Sequence, residues 1–249
     1  MLKVNALMIK SVDYAENDKI LSLFSLEQGV ISAKIRGVKK AGAKLKFAAE
    51  PFCFAEYVLT EGNLKSVTGA SLNDSFYPLR ENLFRYYAAG VAAEFVKKFC
   101  PENLPHAPLF LKTVRLLKEL SYGAAPACGA LLWYLLSALG EIGYSLTLGG
   151  CAACGEDLPR RVFFDFASGC AYCENCRREG DTEISAATYA LLCAAKMQGE
   201  EPPSGEECAA LGYAENIYLR ALALLGRYLR TVAGGEVKSL KEFLRLYEF

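Results

Sequence analysis

Two pairs of cysteines, Cys151-x2-Cys154 and Cys173-x2-Cys176, constrain this chain more than anything else in its sequence. Residues 155–172 separate the pairs, a spacing at which two knuckles fold back and present four thiolates to one tetrahedral zinc. Between them Gly155, Pro159 and Gly169 offer turns, and Arg161-Val-Phe-Phe-Asp-Phe166 offers a short strand. The single histidine, His106, is far from the cluster in sequence, so the donors are sulfur. Thiolates bind metal only when deprotonated, and Arg160, Arg161, Arg177 and Arg178 favour the charged form. Four protein ligands close a tetrahedral site, whereas catalytic zinc normally keeps one position open. The expectation is one structural zinc on Cys151, Cys154, Cys173 and Cys176. Pairing Cys170 with Cys173 instead would leave Cys176 without a role. The competing reading is a redox protein using either pair as a dithiol, and a thioredoxin-like βαβ context for it is missing.

Apolar residues make up 53% of the chain and its formal net charge is zero, so a folded protein is expected and any nucleic-acid site must be a local patch. The N-terminal stretch has no continuous apolar run of the kind a secretion signal needs. The longest apolar stretch, Ala124 to Leu139, is shorter than a bilayer span of about 20 residues and carries Pro126 and Gly129, which predicts a buried helix and no membrane association. Reduced thiols with zinc point to the cytoplasm. Cys53, Cys100, Cys128, Cys193 and Cys208 then read as small buried hydrophobes.

Residues 1–78 read as β structure. Val30 to Arg36 alternates, with Ile31, Ala33 and Ile35 on one face and Ser32, Lys34 and Arg36 on the other. Val4 to Ile9, Lys19 to Phe24 and Phe52 to Thr60 are further strands, and Glu61-Gly62-Asn63 turns into a last one from Leu64 to Ala70. Five short strands in this length suggest a small barrel, with the OB-fold the leading candidate. After Pro78 the period becomes helical: Phe84, Tyr87, Ala88, Val91 and Phe95, then about 107–120, then 124–139 with Gly140 as its stop. The zinc segment, 151–178, is inserted here. Helices resume at about 185–197 and 214–232, the latter ended by Gly234-Gly235. A loop covers Gly199 to Gly205, and a last helix starts at Ser239, with Ser239 and Glu242 as a capping box. The fold class is therefore α+β and multidomain: an OB barrel over 1–78, then an all-α domain over 79–249 carrying the four-cysteine module.

No catalytic constellation emerges. A hydrolytic triad would have to use His106, which reads as a surface histidine in a loop. Asp13, Glu16 and Asp18 cluster closely enough to hold a hard cation, but turn and strand-entry roles suit them better. The basic run is more informative. Lys34, Arg36, Lys39, Lys40, Lys44 and Lys46 crowd a stretch with no acidic residue between Glu27 and Glu50. Alone it is a solvated face; on an OB barrel, whose strand 2–3 face and loops bind single strands, it becomes a candidate DNA footprint. Tyr14, Phe47, Phe52, Phe54 and Tyr57 lie near it in sequence and offer rings for base stacking or for the core.

Several stretches resemble the RecO family of bacterial DNA repair and recombination mediators. They are Ser11 to Ser25, Gln28-Gly29, Ile35 to Lys40, Glu50-Pro51-Phe52, Cys151-Ala-Ala-Cys-Gly155 and Val237 to Leu244, in the family's order and over nearly the whole length. The resemblance implies an OB-fold followed by a helical domain with a four-cysteine zinc module. It implies a protein that makes and breaks no bonds, binds single- and double-stranded DNA, anneals strands and helps load RecA, with RecR and the tail of single-strand binding protein as partners. Arg36, Lys39 and Lys40 match its basic segment. Cys170 stands where the family often has a second glycine, and Ala43 where serine is common. For the acidic, apolar-ended tail, the helix at 107–120 offers Lys112, Arg115 and Lys118 beside Val114 and Leu117. The alternative to DNA binding is an OB-fold adaptor that takes only proteins.

Overall fold

The computed structural model describes residues 1–62, 65–158, 160–199 and 201–247. Asn63, Leu64, Pro159 and Glu200 lie outside the described residues, so the turn and strand start expected at 63–64, the turn expected at Pro159 and part of the 199–205 loop are not described.

Five strands, β1 (Leu2–Asp13), β2 (Lys19–Ser25), β3 (Gly29–Ile35), β4 (Phe54–Leu59) and β5 (Lys65–Asp74), close into a barrel in the order β1-β2-β3-β5-β4, the expected OB arrangement. All pairs are antiparallel except β3–β5. Alternation fills the barrel. Val4, Ala6 and Met8 from β1 meet Leu21, Leu23, Ile31, Ala33, Ile35 and the fully buried Tyr57 in one apolar cluster. Each such large aliphatic or aromatic side chain contributes about 1.5–3 kcal/mol by leaving water. The Tyr57 hydroxyl donates to Ala48 O at 2.8 Å, so its one polar atom is satisfied inside the core.

The opposite parity serves a second core. Leu7, Phe24 and Val30 point out of the barrel into the helical cluster, where Phe24 meets Phe110 edge to face at 5.4 Å. Phe52, expected to open β4, instead takes φ +64 and turns into this second core against Tyr86. The Asn103 amide donates to Val30 O at 2.9 Å and fixes the barrel to the link between the first two helices.

The helices are α1 (Leu83–Phe99), α2 (Ala107–Tyr122), α3 (Ala127–Glu141), α4 (Ala186–Met197), α5 (Gly205–Leu211), α6 (Glu215–Ala233) and α7 (Lys238–Arg245). Helix α3, buried on nearly every side, centres the cluster with Trp133 and Tyr134. Three boundaries correct the sequence reading. Pro126 holds the N-cap of α3, so the helix begins three residues late; Gly140 lies inside it, and Gly143, at φ +83, is the glycine that follows its end. Helix α7 begins at Lys238 with Val237 as cap, and Ser239 gives its amide and hydroxyl to Glu94 of α1 instead of forming a capping box. The box is on α5, where Ser204 and Glu207 exchange hydrogen bonds, in a helix the sequence reading lacks.

Between α3 and α4 a small sheet forms, β6 (Arg161–Asp165), β7 (Cys170–Tyr172) and β8 (Thr182–Ser185), in the order β7-β6-β8. Strand β8, also absent from the sequence reading, carries this sheet past residue 178 and runs directly into α4. Phe164 packs on Tyr228 of α6, and Arg227 lies 4.0 Å over the Phe166 ring, so the sheet is seated on the helical core.

Candidate metal centre and nucleic-acid interface

Each cysteine pair sits on a tight turn. Gly155 N donates to Cys151 O at 2.8 Å, closing the first knuckle, and Cys176 N and Arg177 N donate to Cys173 O at 3.1 and 3.0 Å, closing the second. The Ala152 amide donates to Ala171 O of β7 at 2.9 Å and brings the knuckles together. The turn between β6 and β7 requires Gly169: at φ +69, a Cβ there would lie 2.7 Å from the Tyr228 hydroxyl.

The result is four sulfurs, from Cys151, Cys154, Cys173 and Cys176, all within 4.8 Å of one another. A tetrahedral metal with sulfur at about 2.3 Å needs sulfurs about 3.8 Å apart, and Cys154 Sγ and Cys173 Sγ are 3.8 Å apart. This cluster can hold a metal ion. Its electrostatics point the same way. Burial opposes ionisation of Cys151, yet the backbone N–H groups of Cys173, Cys154 and Ala153 outweigh it and hold the thiol below its usual range. Cys176 is held above its range, first by the thiols of Cys173 and Cys154. Four crowded thiolates repel one another, and a dication is what lets all four ionise together. Cys170 stands outside the cluster, its thiol directed 3.7 Å from Ser168 O.

Three of the four neighbouring arginines are occupied. Arg161 holds Glu183 through two 3.0 Å contacts and also pairs with Glu174, while Arg177 and Arg178 lie 4.9 and 5.0 Å over the rings of Phe163 and Tyr172.

On the barrel, the basic run divides in two. Lys34 is mostly buried, 2.9 Å from Asp18 and 4.5 Å over the Tyr14 ring. Lys39 pairs with Asp13 at 2.8 Å. Arg36, Lys40, Lys44 and Lys46 are exposed and form no ion pair among the described residues. The acidic loop has the turn role expected of it: Asp18 accepts the Gly37 amide at 2.8 Å, and Lys39 N donates to Asn17 O at 3.2 Å. The β1–β2 loop thus anchors the start of the basic connection that leads through a 3-10 turn, Lys46–Ala49, into β4. Of the nearby rings, Phe52 and Tyr57 are buried, Phe54 packs on Phe110 and Phe47 packs on the barrel core, which leaves Tyr14 exposed.

The three cations of α2 do not form one surface. Lys112 is buried, 3.3 Å from Glu141, and lines a cleft of about 290 Å³ with Trp133 and Lys196. Arg115, 3.1 Å from Glu201, and the exposed Lys118 line a different cleft of about 430 Å³ with Tyr122 and Pro202. His106 is also unlike its expectation. It stands at the N-cap of α2, its Nε2 lies 3.2 Å from Glu141 O, and its Nδ1 is buried with no hydrogen-bond partner among the described residues. A lone histidine after Pro105 gives no sequence signal for this.

Among the described residues, no helix is long and apolar enough to cross a membrane. The family model described as Recombination protein O N terminal matches residues 1–76, the barrel, and the model described as Recombination protein O C terminal matches residues 80–241. The chain is 32% identical to the DNA repair protein RecO of Geobacter metallireducens over 72% of its own length and 73% of that relative. It is 30% identical to the DNA repair protein RecO of Anaeromyxobacter sp. strain K over 83% of its length and 86% of that relative, and 32% identical to that of Geobacter sulfurreducens over 77% and 79%. With both halves matched in order on a closed five-stranded barrel and a helical region bearing a four-cysteine cluster, the chain belongs to the RecO family of DNA repair and recombination proteins.

Proposed function

We propose that this chain is a non-enzymatic DNA-binding mediator of recombination, in which the barrel rim holds phosphates and the metal holds a fold. The reading divides the chain near residue 78 into a nucleic-acid-binding barrel and a helical unit with an inserted metal module, working in the cytoplasm. The observation that carries it is the set of exposed, unpaired cations Arg36, Lys40, Lys44 and Lys46 on the OB barrel. Such cations replace condensed counterions on a phosphate backbone and carry no sequence information, so binding extends to single and double strands. Neutralising two strands at one rim lowers their mutual repulsion, which is the physical requirement for annealing. Loading of RecA with RecR, and recruitment by the acidic tail of single-strand binding protein, belong to the same reading. The cleft of Arg115 and Lys118 is the place for that tail, without Lys112.

Zinc is the metal that four thiolates select, one per chain. Cys151, Cys154, Cys173 and Cys176 hold it, and when bound it supplies charge compensation and a closed crosslink. No position remains open for water.

A salt titration of oligonucleotide affinity tests the DNA reading. With four cations engaged, the log–log slope for single strands is about −3, and with six about −4, from roughly −0.7 per phosphate. The double reversal Lys40→Glu with Lys44→Glu should flatten it by about 1.4 and slow annealing. An unchanged slope and affinity would reduce this run to a solvated face.

A further inference from the structure

Beyond Leu7 the two neighbours of β1 part company. Strand β2 stays paired with it as far as Asp13, opposite Lys19, across a bulge between Met8 and Lys10. The ladder to β4 ends at Leu7 opposite Phe54, and is followed only by Met8, whose amide donates to Cys53 O at 2.9 Å and whose carbonyl accepts from Phe52 N at 3.0 Å. Residues 9–13 therefore present a sheet edge that carries no strand on the β4 side among the described residues. A free edge of this kind is a template for another extended chain.

The edge faces a wall. Tyr86, Gly90, Ala93, Glu94 and Lys97 share one face of α1, and a cavity of about 490 Å³ lies between them and Ile9, Lys10 and Ser11, with Phe52 beneath. Gly90 sits in mid-helix, where glycine costs about 1 kcal/mol relative to alanine. A Cβ there would meet nothing within 4 Å, so no packing among the described residues accounts for the missing side chain; its effect is to widen the gap.

The charge of the gap is one-sided. Lys10 and Lys97 flank it, and neither forms an ion pair among the described residues; Lys97 reaches only Ser22 Oγ, at 3.2 Å. Burial, and then Lys10, hold the Lys97 ammonium below its usual range against a smaller opposing pull from Glu102. The only carboxylate among the lining residues, Glu94, is committed elsewhere: its oxygens accept the amides of Lys238 at 3.0 Å and Ser239 at 2.7 Å.

We propose that this gap is a docking groove for an extended, acidic segment of a partner protein, which adds a strand to the free edge of β1. Its alternate apolar side chains lie against Phe52 and the Gly90–Ala93 wall, and its carboxylates meet Lys10 and Lys97. A peptide backbone brings donors and acceptors at strand spacing, which a phosphate backbone does not. The groove shares no lining residue with the barrel's basic rim, so it stands or falls separately from the DNA reading.

The test is fluorescence anisotropy of a labelled alternating Val–Asp peptide with the full chain. Saturable binding is expected, with none for the alternating Val–Lys peptide or for a Val–Asp peptide N-methylated on alternate amides. Gly90→Leu fills the groove with a better helix former, and should weaken the peptide at least about tenfold without lowering the melting temperature and with oligonucleotide affinity kept. Lys10→Glu, at an exposed position, should weaken it independently of any packing change. Absence of saturable binding, undiminished binding by both variants, or displacement of the peptide by a short oligonucleotide would overturn the proposal; the last would make the groove a nucleic-acid site.

Discussion

The barrel and the cysteine module are both small β structures, and only the barrel has a core of its own. The barrel has its own interior, from Val4 to Val67, closed on all sides by five paired strands. The module's strands are three to five residues long, and most of its buried residues, Val162, Phe164 and Ala171 among them, belong to the helical cluster rather than to a core of their own. Below a certain size apolar burial cannot offset chain entropy, and a crosslink must replace it. The cations follow the same division. Where the core is self-sufficient, Arg36, Lys40, Lys44 and Lys46 form no ion pair among the described residues; where it is not, Arg161, Arg177, Arg178 and Arg227 cover carboxylates and rings.

Metal removal should break this comparison most sharply. Structural zinc is worth about 10–16 kcal/mol in isolated fingers, so chelation or Cys154→Ser should unfold the module while the barrel survives. Hydrogen exchange should show lost protection in β6 and β7 with β1 to β5 unchanged, and Cys170→Ser should leave one zinc per chain by elemental analysis. Equal protection in both regions after chelation would mean that the module, too, is held by burial.

Charge reversal at matched pairs sharpens it. Lys40→Glu with Lys44→Glu should lower single-strand affinity about tenfold or more at moderate salt, with the melting temperature nearly unmoved. Arg177→Glu with Arg178→Glu should do the reverse, lowering the melting temperature through the lost contacts on Phe163 and Tyr172 while changing DNA affinity little. Comparable DNA losses from both pairs would extend the footprint to the metal module.

The same division decided what could be read from the sequence. The barrel was legible because one buried face forces alternation: Ile31, Ala33 and Ile35 line the interior as their spacing requires. The clustering of the four cysteines was legible because coordination chemistry would fix their spacing. What escaped was set by partners distant in sequence. Ser204-x2-Glu207 and Ser239-x2-Glu242 carry the same capping pattern, yet only the first forms a box, because Glu94 of α1 takes the amide and hydroxyl of Ser239. Lys112 shares a helix with Arg115 and Lys118 but faces Glu141 of α3, so spacing alone grouped side chains that packing separates. Strand β8 is four residues with a half-exposed pattern, too short for periodicity to show.

Glu94 supplies a fastening of intermediate strength. Burial raises its carboxyl, but the Ser239 hydroxyl and the amides of Ser239 and Lys238 outweigh this and hold it below its usual range. A group whose folded pKa is depressed stabilises the fold fully above its unfolded value, here 4.5, and loses that contribution as pH falls through the folded one. Glu94→Gln should therefore cost about 1 kcal/mol near neutral pH, a charge-assisted network discounted for partial exposure, and should flatten the acid limb of stability. Urea melts across pH check both. A wild-type acid limb retained by Glu94→Gln would assign it to other carboxylates.

The smallest effect concerns the one rim cation that is neither free nor buried. Lys39 reaches Asp13 at 2.8 Å, and this contact first, with its charge after, holds the Asp13 carboxyl below its usual range. Both side chains are well exposed, so the pair adds little to stability and is screened by salt. Under the proposed DNA reading its consequence is for binding: Asp13 would partly neutralise one of the cations offered to phosphate. Asp13→Asn should leave the melting temperature in place and modestly strengthen single-strand binding at low salt, with a slightly steeper salt slope, because Lys39 joins its neighbours. Lys39→Ala should lose less affinity than Lys40→Ala for the same reason. Oligonucleotide titrations of the three variants at two ionic strengths decide it. Equal losses from Lys39→Ala and Lys40→Ala, with no gain from Asp13→Asn, would show that the ion pair opens whenever DNA arrives, and that the rim engages phosphate with more of its cations than stand unpaired in the structure.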